Sequence, residues 1–225
     1  MAGEILQAIN EHVSRCETGL LTWAGRKRQG GPQDALDGAG YVALFGAFKR
    51  ALLDVYDGVS ASLADMLSDE AKARIRITIA TGLNDLNATR SYMVERLSVL
   101  VRKADGAEIE DVQDWIAGFS NDYRVRLDTV TQTWLGAVES AITIAQASEG
   151  GAGWLTLDGP DDGLTRPHCR HFVGTRFTRE TYEAHLGDWR RNPDWPMEMV
   201  GGYNCRHRLS VVPPGREGQY PEGPA

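Results

Sequence analysis

The chain has 225 residues, 42% of them hydrophobic, which is enough apolar material for a substantial core and excludes wholesale disorder. The formal net charge of -7 is unevenly spread: residues 165–216 hold nine Arg, no Lys and five acidic residues (+4), while residues 1–164 hold fifteen basic and twenty-four acidic ones (-9), so a polyanion would meet only the C-terminal piece. No apolar run reaches the roughly 18–20 residues that cross a bilayer, and the opening Met1-Ala2-Gly3-Glu4 lacks the basic-then-apolar order of a secretory signal; the expectation is a soluble protein made in a cytoplasm.

The first stripe, Ile5, Ile9, Val13, Cys16, Leu20 and Trp23, recurs every three or four residues and predicts an amphipathic helix, with Cys16 as core filler. A polar, Gly-rich stretch follows over 25–40, holding Arg26-Lys27-Arg28 and Pro32. A second face carries Tyr41, Phe45, Phe48, Leu52, Tyr56, Val59, Leu63 and Met66. The third helix opens at Ser68, with Asp69 and Glu70 placed to meet the positive end of the helix dipole. It runs through Ile75, Ile79, Leu83, Leu86, Met93, Leu97 and Leu100 to a stop at Asp105-Gly106. The fourth carries Ile109, Val112, Ile116, Phe119, Tyr123, Leu127, Val130, Trp134, Val138 and Ile142 and ends at Glu149-Gly150-Gly151, with Gly118 as the expected kink. At 1.5 Å per residue the last two would be rods of about 50–60 Å, and long helices joined by short turns pack as an elongated antiparallel bundle.

After Gly153 the period changes. Trp154–Leu157 and Phe172–Phe177 read as short strands or hairpin arms, Thr178 caps a brief helix reaching about Gly187, and Arg208–Val212 reads as a closing strand. Pro193, Pro196, Gly201 and Gly202 require loops between them. The expected architecture is mainly α: an elongated antiparallel helical bundle over 1–150, a small α+β domain over 151–213, and a flexible tail over 214–225 rich in Pro, Gly and Glu.

Six of the eight Cys and His residues fall within forty positions: His168, Cys169, His171, His185, Cys205 and His207. Three Cys in a chain of this length argue against a disulfide framework. In extended segments Cys169 would share a face with His171, and Cys205 with His207; two such pairs brought together would give two thiolates and two imidazoles. That set is compatible with a tetrahedral structural zinc, although zinc ligands within a pair usually stand two to four residues apart. A Cys169–Cys205 disulfide and a metal-free hydrogen-bonded core are the other readings. His168, His171, His185 and His207, with Arg166, Arg170 and Arg206, could also serve as acid, base and phosphate clamp. Against this, the sequence has no Gly-rich phosphate loop, no His-Glu-x-x-His helix and no Gly-x-Ser-x-Gly elbow. The simpler reading of the arginines is as anchors for carboxylates such as Asp158, Asp161 or Asp162.

The order Trp154-x-Thr156-x-Asp158, Leu164-Thr165-Arg166-Pro167-x-Cys169, Gly174, then Gly201-Gly202-x-Asn204-Cys205-Arg206-His207 resembles the C-terminal signature of the phage Mu F-like minor head proteins, also called phage head morphogenesis proteins. The resemblance covers about residues 125–212 and takes in Thr131-Gln132-Thr133. It implies a structural, non-enzymatic role in a tailed-phage virion: a minor head component at the portal vertex, made in the host cytoplasm. Its implied partners are the portal or major capsid protein and packaged DNA, not a membrane, and it would be present in several copies in an assembly. Some relatives carry Cys-x-x-Cys followed by Cys-x-Cys, a set that looks built for zinc. Here Arg166 stands where the first Cys would be and His207 where the last would be, leaving Cys169, Cys205, His207 and, as a substitute, His171 for a structural zinc.

Asp158, Thr165, Arg166, Gly174, Asn204 and Arg206 are then the expected structural residues, with Asp158, Arg166 and Arg206 as internal anchors and no catalytic residue assigned. Two other classes stay open: a small nuclease or toxin-like domain using the His and Arg cluster and delivered by a helical segment, and a nucleic-acid-binding internal head protein.

Overall fold

The computed structural model describes residues 2–25, 41–63, 67–149 and 153–224. The chain is mainly α. Four long helices come first: α1 (Ala2–Gly25), α2 (Tyr41–Leu63), α3 (Asp69–Ala104) and α4 (Ile109–Glu149). A small α+β region follows, with β1 (Leu155–Asp158), α5 (Pro167–Phe172), β2 (Arg176–Phe177), α6 (Arg179–Ala184) and β3 (Arg208–Val211). The Arg26-Lys27-Arg28 stretch, Met66, Gly150-Gly151 and the side chains of Val59 and Leu63 lie outside the described residues.

The helices form where the apolar spacing places them. Ile5, Ile9, Val13, Cys16, Leu20 and Trp23 are all buried, which confirms the first stripe position by position. In α2 the buried line is Leu44, Phe48, Ala51 and Leu52, while Tyr41, Phe45 and Tyr56 are only half-buried, so the face is turned from the one the aromatics suggested. α3 begins with Asp69 and Glu70 and ends with Arg102 and Lys103, charges that complement the dipole at both ends. Ser68 caps it, its Oγ accepting from the Ala71 amide at 3.2 Å. α4 runs through Gly118 as one helix.

The chain divides into two compact units, residues 1–51 with 81–131, and residues 52–80 with 132–225. In the first, Val13, Leu20, Leu86, Met93, Leu97, Val112, Ile116 and Leu127 are buried. One polar knot lies among them: His12 Nε2 sits 3.2 Å from the Tyr123 hydroxyl and 3.8 Å from Cys16 Sγ. Burial pushes the Cys16 thiol up to about 12.

In the second unit β1 is the central strand of a three-stranded sheet, ordered β2-β1-β3 and antiparallel throughout. Leu155 faces Phe177 on one side and Val211 on the other, and Asp158 stands opposite Arg208. Ile144 and Ala147 of α4 join Leu155, Leu157, Cys169, Phe172, Phe177, Tyr182, Met197, Val200 and Leu209 in one apolar cluster. Gly136 of α4 lies close under β3; a β-carbon there would stand 2.9 Å from the Arg208 guanidinium.

One expectation for this region is corrected. Phe172 does not begin a strand: it ends α5, because Pro167 presets the first helical turn and Arg170 and Val173 donate back to Arg166 and Cys169. The end of the tail lies along β2. Arg176 N donates to Pro221 O at 2.9 Å, Gly223 N donates to Arg176 O at 2.8 Å, and Arg176 pairs with Glu222.

Candidate metal centre and its anchoring loops

The two Cys-bearing strings meet. Arg166, the N-cap residue of α5, sends its guanidinium across to the carbonyls of Gly201 and Tyr203. Cys169, one turn into the helix, brings its Sγ to 3.6 Å from that of Cys205. Gly201 makes this possible: a β-carbon there would lie 2.5 Å from Cys169 Sγ and 3.0 Å from Cys205 Sγ. His207 completes the group, its Nδ1 standing 3.6 Å from Cys205 Sγ. The three ligand atoms lie within 4.8 Å of one another, and this is the group among the described residues that could hold a metal ion.

The orientation of His207 is set from behind. Its Nε2 lies 2.9 Å from the Pro160 carbonyl, which can only accept, so Nε2 carries the proton and Nδ1 presents a lone pair towards the sulfurs. Thr165 fixes the same loop, donating to Pro160 O at 2.7 Å and accepting from Asp162 N at 2.9 Å. Gly159 leaves room for the imidazole; a β-carbon would fall 2.5 Å from its Cδ2.

The electrostatics of the sulfur pair follow from this contact. The hydrogen bond between the sulfurs raises the Cys169 thiol, as does its burial, and lowers the Cys205 thiol, with further help from the His207 backbone amide.

His171 is a correction to the expected ligand set. The reading that put it beside Cys169 assumed an extended segment, but in a helix residues two apart point to different sides. His171 stacks on Trp189 instead, with ring centroids 3.8 Å apart, and His185 stacks on the same indole at 5.1 Å. His185 also pairs with Asp188 at 2.6 Å. His168 is buried, with Nε2 3.1 Å from the Tyr182 hydroxyl; burial pushes its imidazole down to about 4.

Of the expected anchors, Arg206 pairs with Asp162 through two contacts of 2.6 and 3.0 Å, and holds that carboxyl well below its usual range. Both side chains are largely exposed. Asp158 is not an internal anchor: it ends β1 exposed, and the carboxylates that meet the neighbouring arginines are Asp161, with Arg170, and Asp162. Gly174 takes a left-handed φ of 70° just after α5 and donates to Leu157 O at 3.0 Å. Asn204, at φ 56°, donates its amide to Thr133 Oγ1 of α4 at 3.2 Å.

Sequence reasoning missed Arg191. It is 4% exposed, and its guanidinium donates to four carbonyls: Val200 at 2.6 Å, Pro196 at 2.7 Å, Trp195 at 3.1 Å and Asn192 at 3.2 Å. Desolvation lowers its affinity for its proton. Val200, which it grips, has φ 51°, a strained conformation for a β-branched residue, immediately before Gly201. The available signal was an Arg set among Trp189, Pro193, Trp195, Pro196, Met197 and Met199, where a solvated charge would be out of place.

No family model, no curated protein and no solved structure is significantly similar to this chain. No helix among the described residues is long and apolar enough to cross a membrane.

Proposed function

We propose that the chain is a minor head protein of a tailed bacteriophage, similar to the Mu F-like head morphogenesis proteins, acting at the portal vertex through architecture and not turnover. The observation that supports this reading most is how the residues of its two signature strings are used. Arg166 closes on the Gly201 and Tyr203 carbonyls, Cys169 on Cys205, Thr165 on Pro160 and Asn204 on Thr133, so both strings serve to knit one terminal unit to α4. The four long helices supply amphipathic surface suited to lateral contact with a portal ring or capsid shell.

Within this reading Cys169, Cys205 and His207 supply three ligands to a zinc ion. Tetrahedral zinc, with bonds of about 2.3 Å to sulfur and about 2.0–2.1 Å to nitrogen, sets two sulfurs about 3.8 Å apart and sulfur from nitrogen about 3.5 Å apart. Two of the three separations here, Cys169 Sγ to Cys205 Sγ and Cys205 Sγ to His207 Nδ1, are each 3.6 Å, and all three atoms lie within 4.8 Å of one another. The His207 Nε2–H donating to a backbone carbonyl is the usual outer support of a ligating imidazole. Bound there, zinc would cross-link α5 to the loop before β3.

The test of the head-protein reading is co-assembly. The full chain, expressed with the portal and major capsid proteins of the phage that encodes it, should co-elute with portal rings or capsid shells. A chain that elutes alone beside assembled rings and shells, and degrades RNA or DNA when given divalent metal, would overturn the reading in favour of a nuclease.

A further inference from the structure

We propose that Cys169 and Cys205 form a modification site: a thiol pair that peroxide closes to a disulfide whenever no metal bridges it. The two sulfurs stand 3.6 Å apart, so closure to a disulfide of about 2.05 Å needs an approach of about 1.5 Å. The pieces that carry them are already held in register, Cys169 on α5 and Cys205 on the loop that Arg166 grips through Gly201 and Tyr203. Gly201 presents no side chain between or beside the sulfurs, so nothing has to be displaced as they close.

The two thiols are unequal in access. Cys169 is fully buried and Cys205 only partly, which makes Cys205 the sulfur that an external oxidant reaches. The Cys205 thiolate attacks one oxygen of hydrogen peroxide, the O–O bond breaks, and hydroxide leaves to give Cys205 sulfenic acid. Cys169 sulfur then attacks the sulfenic sulfur; the S–S bond forms, the S–O bond breaks, and the hydroxyl departs as water with the thiol proton. Two electrons pass from the two sulfurs to one peroxide, which ends as two waters, the released hydroxide taking up the proton that Cys205 lost on ionising. Cys16 belongs to the other unit and is buried beside His12, so it has no part in the step.

The product links residues 36 positions apart and pins the same loop to the same helix that a metal ion would. Metal and disulfide are thus alternative staples for one junction, because a sulfur committed to a disulfide no longer offers a thiolate. The protective effect of metal rests on the zinc reading above; closure of the pair does not.

The experiment uses the full chain, reduced and stripped of metal by a chelator, then treated with hydrogen peroxide and analysed unreduced by intact mass and peptide mapping. The expected result is a loss of about 2 Da, a Cys169–Cys205 cross-linked peptide and a reduced Cys16. The Cys16→Ser variant should behave identically, and Cys205→Ser should give no loss. Preloading with zinc should slow closure by roughly tenfold or more. Stable oxygen adducts on Cys205, or both thiols left reduced under conditions that oxidise the urea-unfolded chain, would overturn the proposal. If zinc binds and the stripped chain still fails to close, the thiol proposal falls and the zinc reading stands. If closure occurs but zinc neither binds nor slows it, the zinc reading falls alone.

Discussion

Arg166 and Arg191 hold the 191–203 loop from its two ends through its backbone carbonyls. A guanidinium suits this work because its donors form a rigid fork, whereas a lysine ammonium is a single point. Arg191→Ala should cost about 3 kcal/mol or more, since each hydrogen bond to a charged group contributes about 1.5–3 kcal/mol. For a chain of this size that lowers the melting temperature by roughly 6–12 °C. Arg191→Lys should not restore it, and Arg166→Ala should give a smaller drop of the same sign. A fall of less than about 2 °C for Arg191→Ala in a calorimetric scan would contradict the anchor role.

His168 makes a second prediction at this scale. Its folded imidazole is pushed down to about 4 from an ordinary 6.5, so between those values the unfolded chain binds a proton that the folded one refuses. The stability this represents is fully present above pH 6.5 and is lost as pH falls towards 4. The difference in melting temperature between the chain and His168→Gln should therefore narrow on acidification across that window. A difference independent of pH would show that His168 titrates normally.

Residue types were legible in the sequence where function follows from chemistry alone, and illegible where it depends on local conformation. Cys169, Cys205 and His207 could be named as a donor set from composition, and all three do converge. His171 was misplaced because one Pro turned an assumed strand into a helix, moving a side chain two residues from Cys169 to another face. Arg191 escaped because its one signal was its setting among Trp, Pro and Met residues, which does not reveal that four carbonyls surround it.

At the scale of elements, the apolar period located α1, α3 and α4 to within a residue or two, and the turn residues located β1 and β3. The pairing partners of a two-residue strand and of the tail beside it were beyond pattern reading, since so short a segment carries no period. One junction between elements was equally hidden: the Glu149 carboxylate at the end of α4 accepts from Ser68 N at 2.6 Å and from Ser68 Oγ, satisfying the exposed start of α3. Glu149→Ala should cost about 1 kcal/mol, as for loss of an N-cap, and should speed amide exchange in the first turn of α3. Exchange there at the unaltered rate would contradict the capping role. Gly136→Val tests the contact of α4 with β3. A β-carbon there would stand 2.9 Å from the Arg208 guanidinium, but that head is the flexible end of a half-exposed side chain and should swing aside, so the melting temperature should fall by less than about 4 °C. A larger fall would show that Arg208 is held rigidly against α4.

At the scale of the whole molecule, four long helices carry amphipathic faces and one small α+β region is tied by its loops. The terminal region uses its arginines, its glycines and its Cys and His donors to hold loops together, as the proposed assembly role would require. The most direct test of the proposed head role uses particles assembled, in the presence of this chain, from the portal, scaffolding and major capsid proteins encoded with it. Quantitative mass spectrometry of the purified heads should find the chain at a few copies per particle, and Arg166→Ala should lower that number. Heads that carry none of it, although the folded chain was present throughout assembly, would contradict the account.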